Sequence, residues 1–472
     1  MLISISVFSN SYICAILRKT RIVEKNILRR NNVSERKIIH VEDRVPFKLL
    51  VPLSIQHMFA MFGASVLVPF IFGINPAIVL LTNGVGTLLF ILITKGKAPA
   101  YLGSSFAFLA PAGIVIAKWG YEYALGGFVA VGFFGCILAM IIYKFGTKWI
   151  DTVLPPAAMG PVVALIGLEL AGSAASTAGI LPQTEYVLDE ATGLYAQNVT
   201  PVNMNCAIVF LITLAVAVFG NILFRKFLAV IPILIAIIAG YVSAVIFGVI
   251  DMATIREALA TPLFTLPNFM LPKFKIDAIL IILPVILVIA SEHIGHQVVT
   301  SEIIGRDLLK DPGLHRSLFA DNFSTMLSGL VGSVPTTTYG ENIGVMAMTK
   351  VYSVRVIAGA AVLSILCSFI GPMSALINTI PGPVIGGISF LLYGMIGTSG
   401  IRIMVDSQVD YSKSRNLTLT SVVFVTGLSG AAVNFGNVQL KGMVLACIVG
   451  MGLSLLFYIF DKYKLTNDRE DS

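Results

Sequence analysis

Seven ionisable side chains stand inside apolar runs of this sequence, where charge is costly and usually serves a function. They are His57, Glu169, Glu292, His293, His296, Asp321 and Glu341. Glu292 and His296 are four residues apart, which places them on one helix face, while His293 falls off it. Glu341 stands where a Pro-led, extended stretch turns helical, among backbone N–H groups with no intrahelical acceptor. Two carboxylates supply acceptors and two helix starts supply donors. That outline is complementary to a flat heterocycle with two ring N–H groups and two carbonyls, such as a pyrimidine-dione. Phe106 and Tyr339 are the aromatic residues placed to cover its faces and exclude water. Satisfying all four polar edges matters, because a buried group left unpaired costs about 1–3 kcal/mol. A glutamine would accept the same bonds but cannot carry a proton. Glu341 or Glu292 can, with His296 as the relay.

The other ionisable residues have plainer readings. His57 reads equally as a brace for its helix, and His293 and Asp321 read as structural. Glu169, beside Gly167, Ala171 and Gly172, suits helix packing or gating. The run Glu-His-Ile-Gly-His at 292–296 lacks the zinc-protease spacing and has no further ligand cluster nearby, so no metal is expected. Cys14, Cys136, Cys206, Cys367 and Cys447 share no redox or metal spacing and read as packing residues. No phosphate-binding Gly-Lys-Ser/Thr loop occurs, so the chain carries no ATPase of its own and an ion gradient is the natural drive. No nucleophile–base pair points to an enzyme.

The elements that must hold these residues are membrane spans. Hydrophobic residues make up 56% and charged residues 12% of the chain, against roughly 25% charged in soluble domains. Apolar runs of about 20 residues recur from end to end, the length that crosses a ~30 Å hydrocarbon core. Fourteen are predicted, near 48–70, 76–94, 99–117, 123–143, 156–173, 203–223, 229–250, 277–300, 314–332, 335–352, 355–375, 382–401, 416–433 and 439–461. With both termini in the cytoplasm, 27 of the 32 basic residues fall on the inner side, as the positive-inside rule requires of an even number of spans. The net charge of +7 therefore reports loop placement, not affinity for nucleic acid. Residues 1–45 read as a basic cytoplasmic extension, expected to be disordered, and 463–472 as a cytoplasmic tail.

Two segments break the pattern of plain spans. Residues 99–108 and 335–346 each open on a proline, run extended and then turn helical. They are the third span of the first seven and the third of the second seven. Interrupted spans at matching positions in two halves point to a transporter site built from inverted repeats. An odd number of spans per half forces the halves into opposite topology, and such backbone is tolerated only where protein or a cavity satisfies it.

The stretch Glu341-Asn-Ile-Gly-Val-Met-Ala-Met-Thr-Lys350 resembles the signature of the nucleobase–ascorbate transporter family, and Gln56-His57 resembles its first-span motif. The runs Pro-Ala-Tyr-Leu-Gly-Ser-Ser-Phe-Ala-Phe, Pro-Pro-Ala-Ala-Met-Gly, Glu-His-Ile-Gly-His and Thr-Thr-Tyr-Gly-Glu-Asn-Ile-Gly extend the likeness over roughly residues 46–460, to the bacterial, proton-coupled uracil branch. The resemblance implies an all-α membrane fold of 14 spans in two inverted seven-span repeats, with short strands in spans 3 and 10. It implies a core domain of spans 1–4 (46–144) and 8–11 (275–375), and a gate domain of spans 5–7 (145–250) and 12–14 (376–462). It implies that Glu292 and Glu341 bind the ring nitrogens, and that the Phe106 and Gly340 N–H groups meet the carbonyls. His296 and Tyr339 would support the site, with Gln56, His57, Ser105 and Asn342 behind them. The implied activity is import of uracil with protons across the plasma membrane by alternating access, with no cofactor and a homodimer interface on the gate. Members that carry xanthine or urate tend to have glutamine where this chain has Glu341. A purine carrier and, more remotely, an anion transporter of the same fold are the alternatives. The extension at 1–45 has no counterpart in the family.

Overall fold

The computed structural model describes residues 38–189, 194–225, 227–436 and 438–465, so most of the predicted N-terminal extension and C-terminal tail lies outside the described residues. Helices α1 (Phe47–Ala60) and α2 (Phe62–Phe72) run nearly on, broken at Met61. Helix α3 (Pro76–Ile93) starts on Asn75, whose side chain caps the Ala77 N–H at 2.8 Å. The chain then extends through β1 (Leu102–Ser104), makes one 3₁₀ turn at Phe106–Phe108, and continues as α4 (Leu109–Trp119) and α5 (Tyr121–Phe145). Helices α6 (Lys148–Val153), α7 (Pro156–Leu168) and α8 (Ala171–Thr177) lead to the hairpin strands β2 (Gln183–Asp189) and β3 (Leu194–Thr200). Then come α9 (Met204–Leu223), α10 (Pro232–Ile246) and α11 (Met252–Leu259).

The second half begins with α12 (Ile276–Ile282) and α13 (Val285–Ile304), parted at Pro284. Helix α14 (Leu314–Val331) stops at Gly332, whose φ of +94° suits glycine at a helix end. After it come β4 (Thr336–Thr338), α15 (Gly340–Thr349), α16 (Val354–Ser368) and α17 (Gly371–Asn378). The chain closes with α18 (Gly382–Asp406), α19 (Ser414–Leu428), a hairpin of β5 (Ala432–Phe435) and β6 (Val438–Lys441), and α20 (Gly442–Lys462).

Each predicted span contains a helix of the structure. Among the described residues, eight helices or near-continuous pairs are long and apolar enough to cross a membrane: α1–α2, α3, α5, α7–α8, α9, α12–α13, α18 and α20. The remaining predicted segments hold shorter or more polar helices. Two of them show why: α15 begins only at Gly340, and α14 carries Ser317, Asp321, Asn322, Ser324, Thr325 and Ser328 among its apolar residues.

Packing follows a reciprocal pattern. Helix α5 lies on α14, and α3 lies on α16; α9 lies on α18, and α19 lies on α7. Small residues set these crossings, as they do where helices meet without a hydrophobic drive between them. A Cβ on Gly132 of α5 would fall 2.5 Å from the Met326 nitrogen of α14, and one on Gly84 of α3 would fall 2.5 Å from the Ala361 oxygen of α16. Gly132→Ala would favour an isolated helix by about 1 kcal/mol. Here the methyl meets backbone, and overpacking costs about 1–3 kcal/mol. The variant is expected to melt at a lower temperature than the parent in detergent; an equal or higher melting point would show that the two helices can part freely.

Candidate functional site

The two interrupted segments meet. Strands β1 and β4 pair antiparallel with Leu102 opposite Thr338, Gly103 opposite Thr337 and Ser104 opposite Thr336, and all six residues are buried. The Ser105 N–H extends the pairing by donating to Pro335 O at 2.8 Å. Flanking threonines saturate the strand backbone. Thr87 Oγ1, from α3, accepts from the Leu102 N–H at 2.9 Å. Thr325 Oγ1, from α14, accepts from the Thr336 N–H at 3.2 Å and donates to Thr336 O at 2.7 Å. The helices α3 and α14 thus clamp the two strands in the same manner.

Each strand ends where a helix starts. Phe106 opens the 3₁₀ turn that leads into α4, and Gly340 opens α15, with Ser105 and Tyr339 as the residues before them. At these first positions the backbone N–H has no acceptor within its own helix. Phe106 and Tyr339 present near-parallel rings, 6.5 Å between centroids and 19° apart. The Tyr339 hydroxyl donates to Ser104 O at 2.5 Å.

Helix α13 supplies the next layer. Glu292 and Glu341 are close enough for their charges to interact, and both are half-buried, as are His296 and Gly340. Glu292 Oε2 has no hydrogen-bond partner. His296 approaches Gly340 so closely that a Cβ there would be 3.3 Å from its Nε2. His57 lies within reach of the Asn342 side chain. Both polar atoms of Asn342 are buried without a well-formed hydrogen bond, as are Ser105 Oγ and His57 Nδ1. Gln56, beside His57 on α1, is buried as well. Most of the predicted site residues are therefore gathered around the two helix starts, with His57 reaching them through Asn342.

His293 is less separate from this group than its position off the Glu292/His296 face implied. The Thr338 hydroxyl lies 3.3 Å from His293 Nδ1 and 3.2 Å from His296 Nδ1. One hydroxyl has one proton, so at least one imidazole must donate from Nδ1. The same His293 Nδ1 is 3.8 Å from Asp321 Oδ1, both residues fully buried, and neither His293 Nε2 nor Asp321 Oδ1 has a hydrogen-bond partner. Asp321 also accepts from the Thr337 hydroxyl at 3.5 Å and faces the Thr338 N–H. Thr338 does not stand out in the sequence, since a threonine in an apolar stretch carries no signal that would single it out. Tyr393 of α18 is hidden for the same reason; its ring stands edge-on to Phe106 at 6.0 Å. Glu169 sits apart, at the end of α7, and accepts from the Met443 N–H of α20 at 2.9 Å. Among the described residues no three His, Cys, Asp or Glu side chains are grouped to hold a metal, and the four cysteines there are unpaired.

The Asp321 cluster yields a stability prediction. Asp321→Ala leaves the Thr337 hydroxyl and His293 without their buried partner, at a cost of about 1–3 kcal/mol. A lower melting temperature in detergent is expected, with Asp321→Asn, which keeps an acceptor oxygen, closer to the parent. Equal melting of the alanine variant and the parent would count against the pairing.

Residues 48–435 match the model of the Permease family. Uracil permease of Escherichia coli K12 is 54% identical over 422 residues, covering 89% of this chain and 94% of that one. Uracil permease of Paenibacillus larvae is 50% identical, covering 92% of this chain and 99% of that one. Among solved structures, the murine solute carrier 26 member A9 anion transporter superposes with a TM-score of 0.66 at 10% identity, over 89% of this chain and 69% of that one. At that identity the likeness speaks for the fold alone.

Proposed function

The chain belongs to the Permease family, the nucleobase–ascorbate transporters whose signature runs through Glu341 and Asn342, and from that premise we propose that it imports uracil together with protons. It is an integral protein of the bacterial inner membrane and a uracil transporter. The observation that carries the finer reading is the packing of α13, which bears Glu292, against α15, which bears Glu341, and against the 3₁₀ turn at Phe106, with both glutamates half-buried among polar atoms that lack partners. Uracil offers two N–H donors to the carboxylates and two carbonyls to the Phe106 and Gly340 N–H groups. Phe106 and Tyr339 cover its faces. A carbon contact needs about 3.5 Å on each side of a planar ring, so the 6.5 Å between the two rings must widen by roughly half an ångström to admit the base.

Protons enter through chemistry that the base lacks. Uracil is neutral, so carrying two carboxylates through an apolar barrier favours taking a proton with it. Glu341 is the group assigned to bind it, with His296 beside Gly340 as the relay. The architecture assigned to this cycle has 14 spans in two inverted repeats, both termini cytoplasmic. The core (46–144 and 275–375) moves against the gate (145–250 and 376–462). Support comes from the reciprocal helix pairs and from Thr87 and Thr325, which clamp β1 and β4 alike. A homodimer through the gate rests on the family resemblance alone.

Uptake of labelled uracil into proteoliposomes with an acidic exterior tests both parts. Uptake should collapse with a protonophore; indifference to it removes the coupling claim. Glu341→Gln should bind uracil but no longer accumulate it against its gradient. Glu292→Ala should weaken binding about ten- to a hundredfold, the value of a hydrogen bond to a charged group; parental binding by this variant would overturn the assignment. Strong competition by unlabelled xanthine would move the reading to a purine carrier.

A further inference from the structure

We propose that Gly103 is a positioning residue for the transport site: its missing side chain lets the Tyr339 ring lie where it covers the substrate. Gly103 is the middle residue of β1, opposite Thr337. It is not among the glycines with positive φ, so its backbone conformation is open to any residue. The need for glycine is spatial. A Cβ on Gly103 would fall 2.3 Å from Cε2, 2.7 Å from Cζ and 2.9 Å from Cδ2 of Tyr339, and these three nearest atoms all belong to that ring. A glycine inside a strand often marks such a close approach.

The ring is fixed on each side. It lies against the bare backbone of Gly103, its hydroxyl is tied to Ser104 O, the next residue of the same strand, and Phe106 lies beyond it at 6.5 Å. Diagonal neighbours across an antiparallel pair are within reach of aromatic side chains, and Gly103 and Tyr339 hold that relation, since Tyr339 is two residues beyond Thr337. A methyl group at 103 needs about 3.5 Å to the nearest ring carbon. The ring must then withdraw by roughly 1 Å, which strains the bond to Ser104 and disturbs its near-parallel setting against Phe106. This inference rests on the reading above that Tyr339 covers the base.

Equilibrium binding of labelled uracil to four purified proteins tests it: the parent, Gly103→Ala, Tyr339→Ala and the double variant. Gly103→Ala should weaken binding about tenfold, the order of what is lost when a base loses the aromatic ring it stacks on. In the Tyr339→Ala background the same change should add nothing, because the ring it displaces is gone. Parental affinity of Gly103→Ala, or an equal loss in both backgrounds, would overturn the proposal. If Tyr339→Ala weakens binding and Gly103→Ala does not, the positioning role alone fails. If Tyr339→Ala binds like the parent, the covering role of the ring fails and the inference falls with it. Should Gly103→Ala not fold, recovery of folded protein in the double variant supports the clash with the ring, and no recovery refutes it.

Discussion

Backbone that leaves helical form inside a membrane must find its hydrogen bonds within the protein, since hydrocarbon offers none. Here that requirement falls on the extended segments around Leu102–Ser104 and Thr336–Thr338. Pairing them with each other satisfies only part of it, because each strand has one side turned away from its partner. Thr87 and Thr325 supply the remainder from the helices on either flank. Once the strands are held in this way, the starts of α4's leading turn and of α15 are brought to the same place. A one-residue slip in register would send Tyr339 and Thr337 to the opposite face of the pair. The clamp therefore fixes both the position of the two helix starts and the direction in which their side chains face.

The polar residues around that point form two layers with different solvent access. Glu292, His296, Gly340 and Glu341 are half-buried. Behind them His293, Asp321, Thr337 and Thr338 are sealed off and bonded to one another. The sealed layer is anchored on β4 through its own side chains, so the strand that sets the helix start also sets the imidazoles. Buried atoms without a hydrogen-bond partner occur in both layers, at Glu292 Oε2, Ser105 Oγ and the Asn342 amide in one and at His293 Nε2 and Asp321 Oδ1 in the other. In the proposed reading, the division into two layers separates what holds the site from what meets the base.

The outer layer is legible in the sequence and the inner layer only partly so. Carboxylates and imidazoles within apolar runs stand out by their cost, and the Pro-led openings at 99 and 335 stand out by their chemistry. Apolar runs mark fourteen candidate segments, and among the described residues eight helices or near-continuous pairs are long and apolar enough to cross a membrane; α4 and α15 are shortened by the breaks that build the site, and α14 is made polar by the side chains that support it. The registration of β1 on β4 is not readable, since three-residue strands carry no periodicity to align. Thr338 and Gly103 are invisible for a related reason. A threonine or glycine in an apolar stretch is ordinary, and its importance lies in which side chain crosses it. His293 lies off the Glu292/His296 face, as helix geometry expects, and its link to His296 runs through Thr338 of β4, which the arithmetic of one helix does not reveal.

The likeness of the fold to an anion transporter sharpens what the site residues add. Two helix starts brought together concentrate partial positive charge and, by themselves, suit an anion. In this chain Glu341 occupies the first turn of α15, so a carboxylate of the protein already stands where a bound anion would gain most. Glu292 adds a second carboxylate close by. An anionic substrate would then meet like charge, whereas a neutral ring with N–H groups finds acceptors for them and donors for its carbonyls. The same charges that turn an anion away also need neutralising when the site crosses the barrier, and a proton does so without occupying the space of the base. Selectivity and coupling thus follow, in the proposed mechanism, from where two glutamates stand on a fold that is otherwise neutral about its cargo.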